Sequence, residues 1–182
     1  MVLTCVLIAA QREEKAFWED TRRVLCENYS TLIVQNQSLF TPATPPELIV
    51  CDAAAFESVA AENTIILFRN TVKIPAKILS STGCVAVVDS QDDALMQFVS
   101  GTRLPAITCG LSPRDTITLS SIDTDSAVIN LQRSVTCFDG SAPEPQEFPV
   151  RLNTPIDNFS LMAVACVFIL CGNSQRFHRV YI

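Results

Sequence analysis

The sequence predicts an α/β fold: a mostly parallel sheet flanked by helices and extended by antiparallel strands. Apolar strand-like runs alternate with helical segments through residues 1–110, and from residue 111 the strand-like runs follow one another closely. Alternating β-α-β units build parallel sheets, whereas adjacent runs joined by polar turns form antiparallel hairpins. The 182 residues suffice for a substantial core, so we expect a single domain over 1–182, with a mainly parallel part up to residue 110.

The first half of the chain carries the alternation. Residues 2–9 are a continuous apolar run typical of a buried strand, and residues 12–28 place Phe17, Val24 and Leu25 on one face of a helix. The other strands predicted in this half are 31–35, 48–51, 64–68, 84–88 and 106–109, and the other helices are 53–61, 75–80 and 92–100. For the helix at 92–100, Ser90 and Asp93 have the spacing of a capping box.

The second half predicts hairpins followed by a buried helix. The strands predicted here are 116–122, 127–132, 135–138 and 148–152. Thr154 and Pro155 suit the N-cap and first position of a helix that runs to Leu170 and ends at Gly172. This helix is apolar on every side, which predicts deep burial. Residues 180–182 either add an edge strand or stay loose.

Composition excludes several classes of partner. The net charge is −6 and no basic run occurs, so we expect no nucleic acid partner. The longest apolar run, 159–171, is shorter than the roughly 18–20 residues of a membrane span, so we expect no membrane partner. The apolar residues 1–10 lack the basic start of a signal peptide. These observations together predict a cytoplasmic protein.

The cysteines favour a reduced interior over a disulfide scaffold or a zinc site. Four of the eight lie inside short apolar runs: Cys5, Cys51, Cys84 and Cys109. Such positions are typical of small buried hydrophobes in a reducing compartment. No C-x-x-C pair occurs, and His178 is the only histidine, so we expect no structural zinc.

Three segments in order resemble a known family. Residues 85–92 read V-A-V-V-D-S-Q-D, residues 107–111 read I-T-C-G-L, and after the hairpins Asp157-Asn158 opens a helix. This order resembles the later part of the central ATPase domain of Mur ligases and folylpolyglutamate synthetases, over about residues 75–172. There, a strand ends in V-V-N-x-D-D, another ends in I-T-F-G, and a helix carries G-x-H-N-x-x-N. The resemblance implies the same fold and makes Asp89 and Asn158 candidate ligand-binding residues.

The resemblance also points to two metal positions. Asp52 ends a strand where the family has a magnesium-binding Glu, and Lys77 lies near the lysine that becomes carbamylated and helps to hold a second magnesium. The resemblance implies that Asp52 and Lys77 are relics of a metal-nucleotide site. The alternative is that Asp52 caps the next helix and Lys77 lies on a solvated helix face.

The family's phosphate-binding loop is missing from the sequence. Its pattern G-T-x-G-K-T follows the first strand, because backbone N–H groups must close on the phosphates without a Cβ in the way. Here that position reads I-A-A-Q-R-E-E, and the first glycine of the chain is Gly83. The side chains of Glu13 and Glu14 would repel phosphates. In the helix motif, Asp157 replaces the His and Leu161 replaces the second Asn.

Other chemistries leave weaker signals. In open α/β sheets, ligands bind beyond the carboxyl ends of the strands. The polar residues expected there are Glu13, Glu14, Asp52, Arg69, Asn70 and Asp89. Carboxylates there could bind a cation or transfer protons, or could simply stabilise the first turns of helices. No G-x-S-x-G elbow occurs, and Cys26, the one cysteine expected to be partly exposed, has no evident base.

Three functional hypotheses remain open at this stage. The first is a non-catalytic protein that has lost the nucleotide site, needs no cofactor, has no catalytic residues, and acts through an unknown protein partner or a small ligand. The second is an ATP- or metal-dependent ligase-like enzyme with an altered site, for which Mg-ATP would be the cofactor. The third is an assembly role as a homo-oligomer. Since adjacent Phe17 and Trp18 cannot both face the core, one of them predicts an exposed apolar patch.

Overall fold

The computed structural model describes residues 3–10, 14–35, 38–53, 62–69, 83–102 and 104–177. Within these ranges ten strands form one sheet in the order β10-β9-β8-β7-β6-β5-β1-β4-β2-β3. The strands are β1 Thr4–Ala10, β2 Thr31–Gln35, β3 Ser38–Phe40, β4 Leu48–Asp52, β5 Thr64–Arg69, β6 Cys84–Asp89, β7 Ala106–Gly110, β8 Ile117–Ile122, β9 Ser126–Leu131 and β10 Gln146–Arg151. The helices are α1 Lys15–Asn28, α2 Asp93–Ser100, α3 Asn158–Leu170 and α4 Ser174–Phe177.

The sheet is mostly parallel, as the sequence predicted. Neighbouring strands from β2 through β4, β1, β5, β6 and β7 to β8 pair in parallel. The pairs β8–β9, β9–β10 and β2–β3 are antiparallel. The carboxyl ends of the parallel strands therefore share one edge of the sheet, where ligands bind in folds of this kind.

Apolar side chains cover both faces of the central strands. Alternate residues of β1 divide between two clusters: Val6 and Ile8 pack with α1 and α3, whereas Leu7 and Ala9 pack with α2. A strand buried on both faces has to be apolar at every position, which explains the unbroken apolar run at the start of the sequence. The result is a sheet between helical layers.

Helix α3 is the most buried helix among those that the structure describes. Its residues from Phe159 to Leu170 are all buried, as the apolar sequence predicted. The helix ends in a Schellman motif, in which Asn173 N–H donates to Phe168 O and Gly172 N–H donates to Ile169 O. Gly172 has a φ of +71°, which favours glycine at this position. No helix among the described residues is long and apolar enough to cross a membrane.

Two sequence predictions about helix starts are wrong. Thr154 does not cap α3. The helix begins three residues after Pro155, because the Asp157 carboxylate accepts hydrogen bonds from the first amides. Ser90 does not cap α2 either, since the Asp92 carboxylate accepts from Leu95 N–H at 2.9 Å.

The predicted strand at 135–138 is also wrong. Its backbone groups are used elsewhere: Cys137 N–H donates to Ser141 O, and Phe138 N–H donates to Leu170 O at the end of α3. Sequence analysis also missed the short strand β3 and the one-turn helix α4. The predicted helix at 75–80, residues 54–61 of the predicted helix at 53–61, and the possible strand at 180–182 lie outside the described residues.

The buried cysteines are confirmed, but the predicted apolar patch on α1 is not. Cys5, Cys51, Cys84 and Cys109 are all buried. Phe17 faces the core and Trp18 is half-buried against it, so neither is an exposed aromatic residue.

Candidate functional site

A cavity of about 370 Å³ lies at the carboxyl ends of β5, β6 and β7, beside the start of α3. Its size is within the roughly 300–1,000 Å³ of small-molecule sites. We call it the carboxyl-edge cavity. Its lining residues are Arg69, Asp89, Gln91, Gly110, Leu111, Asp157, Asn158, Phe159 and Met162. The cavity lies at the edge of the sheet where the sequence analysis expected Arg69 and Asp89 to lie.

Arg69 is the central cation of this cavity. It ends β5 two residues after Leu67, so it lies on the sheet face that α1 and α3 cover. Its Nε lies 3.5 Å from Glu14 Oε2, and its Nη1 lies 3.5 Å from Asp157 Oδ1. The guanidinium also lies over two aromatic rings, 5.4 Å from the centroid of Phe159 and 6.0 Å from that of Phe17. One guanidinium thus joins the starts of α1 and α3.

Asp157 has a second role as the N-cap of α3. Its Oδ1 accepts hydrogen bonds from Phe159 N–H at 3.1 Å and Ser160 N–H at 3.2 Å, and its Oδ2 is bonded to Ser160 Oγ. A helix N-terminus with free amides is a ready anion site. Here a carboxylate of the chain itself already occupies these two donors.

Asp89 lies on the neighbouring strand at the level of Arg69. Its Oδ1 accepts a hydrogen bond from Gln91 N–H at 2.9 Å, which fixes the turn after β6. In the part of the chain that the structure describes, no Lys or Arg forms an ion pair with Asp89.

Gly110 allows a buried carboxylate to lie directly behind the cavity wall. Asp115 is only 4% exposed, and its Oδ2 accepts a hydrogen bond from Ser112 N–H at 3.0 Å. A Cβ at position 110 would overlap Ser90 Oγ and Asp115 Oδ2. Glycine is therefore required here for close packing, at a residue whose φ is not positive.

Negative charge dominates among the described residues of the site. In these ranges Glu14, Asp89, Asp115 and Asp157 supply four carboxylates, whereas Arg69 supplies one guanidinium. One of these carboxylates is nearly fully buried, and electrostatic interactions strengthen away from water. An arrangement of this kind attracts cations and repels polyphosphates.

The four candidate residues from the sequence fall into three groups. Asp89 and Asn158 both line the carboxyl-edge cavity, although the sequence analysis found them separately. Asp52 ends β4, which is separated from β6 by β5 and β1. Three strand spacings of about 4.8 Å place Asp52 roughly 14 Å from Asp89, too far for both to ligate one ion. Lys77 lies outside the described residues.

The described residues contain no group of three or more His, Cys, Asp or Glu side chains that could hold a metal ion. Sequence analysis missed Asp115 as a residue of the site. The sequence signal that could have indicated it is a turn. Asp115 follows Ser112 by three residues, and at this spacing its carboxylate can accept a hydrogen bond from Ser112 N–H. The ion pairs of Arg69 carried no sequence signal, since they join residues far apart in the chain.

Comparison with known proteins identifies the fold. No protein-family model and no curated protein matches this chain. A solved MurF ligase from Thermotoga maritima in complex with ADP is similar over 94% of this chain and 46% of its own, with a TM-score of 0.57 and 15% identity. The fold is Mur-ligase-like. The fold class predicted from the sequence is therefore confirmed.

Two further solved structures of ligases have a similar fold. A UDP-N-acetylmuramoylalanyl-D-glutamyl-2,6-diaminopimelate–D-alanyl-D-alanyl ligase from Acinetobacter baumannii has a TM-score of 0.60 at 14% identity, over 97% of this chain and 44% of its own. The murein peptide ligase Mpl from Psychrobacter arcticus has a TM-score of 0.60 at 6% identity, over 97% of this chain and 45% of its own. This chain spans less than half the length of each, and at such identities the likeness concerns the fold alone.

Proposed function

We propose that this protein is a pseudoenzyme of Mur-ligase-like fold, without catalytic residues or a nucleotide cofactor. In this proposal it acts in the cytoplasm by binding a small ligand or through contacts with another protein or a second copy of itself. The observation that carries the proposal is the position of Arg69 between Glu14 and Asp157. The three side chains occupy the edge of the sheet where a nucleotide would be expected.

The charges at the start of α1 argue against phosphate binding. In the Mur-ligase pattern, the phosphates of ATP lie at the turn between the first strand and the first helix. Here Glu14 is the N-cap residue of α1, and its carboxylate lies 3.5 Å from Arg69 Nε. A phosphate would meet a carboxylate of like charge, and it would have to compete with two carboxylates for the guanidinium.

The start of α3 leads to the same conclusion. Its first amides already donate to Asp157. A phosphate that used these donors would have to displace a helix cap, and loss of an N-cap costs roughly 0.5–2 kcal/mol. The N-terminus of α3 is therefore occupied by an acidic side chain of the chain itself, and Glu14 places a second carboxylate beside the start of α1 without capping it.

Nucleotide titration of the purified protein tests this proposal. We would record thermal melts with millimolar ATP and ADP, each with and without Mg²⁺, together with an assay for phosphate release. We expect no shift in Tm and no hydrolysis. A ligand at 100 times its Kd adds about 2.7 kcal/mol, which for a chain of this length is roughly 5–10 °C.

The contrary result would support the ligase-like enzyme. A Tm shift of that size with Mg-ATP, or phosphate release that Asp52→Asn abolishes and Asp123→Asn leaves unchanged, would overturn the proposal. Asp123 is a suitable control because it is an exposed residue in the turn between β8 and β9.

A further inference from the structure

We propose that the carboxyl-edge cavity binds a small aliphatic amine, with the ammonium group against Asp89 and the methylene chain along the apolar wall. This inference rests on the proposed function, because it names the ligand class for the small-ligand site of a non-catalytic protein. It is argued from charge, from the hydrogen bonds of Asp89 and from the apolar lining.

The charge of the site selects a cation. Among the residues that the structure describes, Asp89 and Asp157 line the cavity and Asp115 lies directly behind Gly110. With Glu14, which pairs with Arg69, they set four carboxylates against one guanidinium. Arg69 is already shared between Glu14 and Asp157 and offers little attraction to an anion. Asp115 adds to the negative potential, because its carboxylate lies directly behind Gly110 and accepts a hydrogen bond from Ser112 N–H.

Asp89 provides the anchor for the ammonium group. Only its Oδ1 is engaged by the backbone, through Gln91 N–H, and no Lys or Arg within the described ranges neutralises it. An ammonium has three N–H donors and no acceptor, so it can donate to Asp89 and at the same time face the carboxylate of Asp157. Hydrogen bonds between ionised partners are about twice as strong as neutral ones.

The rest of the lining favours an organic amine over a bare metal ion. Leu111, Phe159 and Met162 form an apolar wall beside the carboxylates. Leu111 is 59% exposed, so a ligand that covers it removes apolar surface from water. Mg²⁺ and Ca²⁺ require oxygen ligands on most sides. An alkyl chain that ends in ammonium matches both parts of the lining.

The test uses cadaverine, a five-carbon diamine, as the probe. Binding would be measured by calorimetry and by thermal melts of the whole chain at constant ionic strength. Glutarate, a five-carbon dicarboxylate, and pentanol are the matched probes of opposite and zero charge. We expect saturable binding of cadaverine, a rise in Tm of roughly 5–10 °C at 100 times its Kd, and no rise with the other two.

Three variants locate the site. Asp89→Asn should raise the Kd for cadaverine roughly tenfold or more, because an ionic hydrogen bond is lost. Asp93→Asn is the matched control, since Asp93 is exposed on α2 and does not line the cavity. Arg69→Met should lower the Kd, because it removes the only cation among the lining residues that the structure describes.

The outcomes separate this inference from the proposed function. Equal Kd values for Asp89→Asn and the unaltered protein, or an equal Tm rise with Mg²⁺ alone, would overturn the amine site. Absence of both nucleotide and cadaverine binding would overturn this inference and leave the proposed function standing. Binding of Mg-ATP would overturn the proposed function whatever cadaverine does.

Discussion

Asp157 Oδ1 lies 3.5 Å from Arg69 Nη1 and also accepts the N–H groups of Phe159 and Ser160. A single carboxylate oxygen thus caps a buried helix and pairs with the cation at the end of β5. The cap fixes the position of the carboxylate, and the ion pair in turn holds Arg69 over the ring of Phe159. The geometry of the cavity therefore depends on the start of α3.

Two substitutions at Asp157 separate these roles. Asp157→Asn keeps an N-cap acceptor and removes the charge, so we expect a loss of at most about 1 kcal/mol of unfolding free energy, as for partly exposed ion pairs. Asp157→Ala also removes the cap and should cost roughly 0.5–2 kcal/mol more. Urea denaturation measures both. Equal losses for the two variants would show that the cap contributes nothing.

A third variant checks the ion pair itself. Arg69→Met combined with Asp157→Asn should show a coupling energy in a double-mutant cycle, whereas Arg69→Met combined with the distant Asp123→Asn should be additive. Strict additivity at positions 69 and 157 would show that this ion pair contributes nothing to stability.

Close packing at Gly110 gives the second prediction. Gly110→Ala places a Cβ against Ser90 Oγ and Asp115 Oδ2, so we expect a loss of about 1–3 kcal/mol. Gly101→Ala is the matched control, because a Cβ there would be 3.4 Å from Phe98 O and the φ of −76° suits alanine. That control should be neutral or slightly stabilising. Chemical denaturation compares the two, and equal effects would contradict the packing argument.

The strands of the sheet could be predicted from the sequence because a buried strand is a continuous run of apolar residues. Residues 31–35 were predicted with the observed bounds, and 84–88 falls one residue short of β6. A strand covered on both faces must be apolar throughout, whatever its neighbours are. Residues 135–138 are also apolar at alternate positions, but Phe138 N–H binds the end of α3. Local pattern cannot show such a long-range acceptor.

The site could be predicted only in part, because local sequence pattern does not show contacts between residues far apart in the chain. Arg69 and Asp89 could be placed at one edge, since strand ends in a parallel sheet meet there. The choice of Asp157 over Thr154 as the cap could not be made, because both residue types suit an N-cap. Asp157, and not Thr154, contacts Arg69, a residue at the end of β5 that is far away in the chain.

The third prediction concerns the pH dependence of stability. Burial raises the pKa of Asp20 above 3.8, the nearby Asp157 carboxylate adds to the rise, and Arg23 opposes it. The folded protein therefore binds more protons at this residue than the unfolded chain, and its contribution to stability is lost as pH rises above about 4. Asp20→Asn should consequently gain stability relative to the unaltered protein between pH 4 and pH 7.

Asp139 provides the comparison of opposite sign. Hydrogen bonds from Ser141 lower its pKa, so its contribution is present at neutral pH and is lost as pH falls. Asp139→Asn should therefore be less stable at pH 7 and equal to the unaltered protein at low pH. Urea midpoints measured from pH 3 to pH 7 test both variants, and parallel curves for the two would contradict the assignment.

The fourth prediction concerns thiol reactivity at the end of α3. Cys171 is the C-cap residue and is half-buried, and burial raises its pKa to about 11. Since the thiolate is the reactive form, its alkylation rate should rise about tenfold per pH unit from pH 8 to pH 10. Cys109 and Cys166 lie with their Sγ atoms 3.6 Å apart in the core and should react only after unfolding.

Mass spectrometry of iodoacetamide-treated protein measures the alkylation rate of each cysteine separately. A urea-unfolded sample is the control, in which all eight cysteines react. A plateau in the Cys171 rate below pH 9 would mean that its thiol is not desolvated. Rapid labelling of Cys109 in the folded state would mean that α3 separates from β7. Because α3 begins at the cavity and ends at Cys171, such opening would disturb both ends of the helix that holds the site in place.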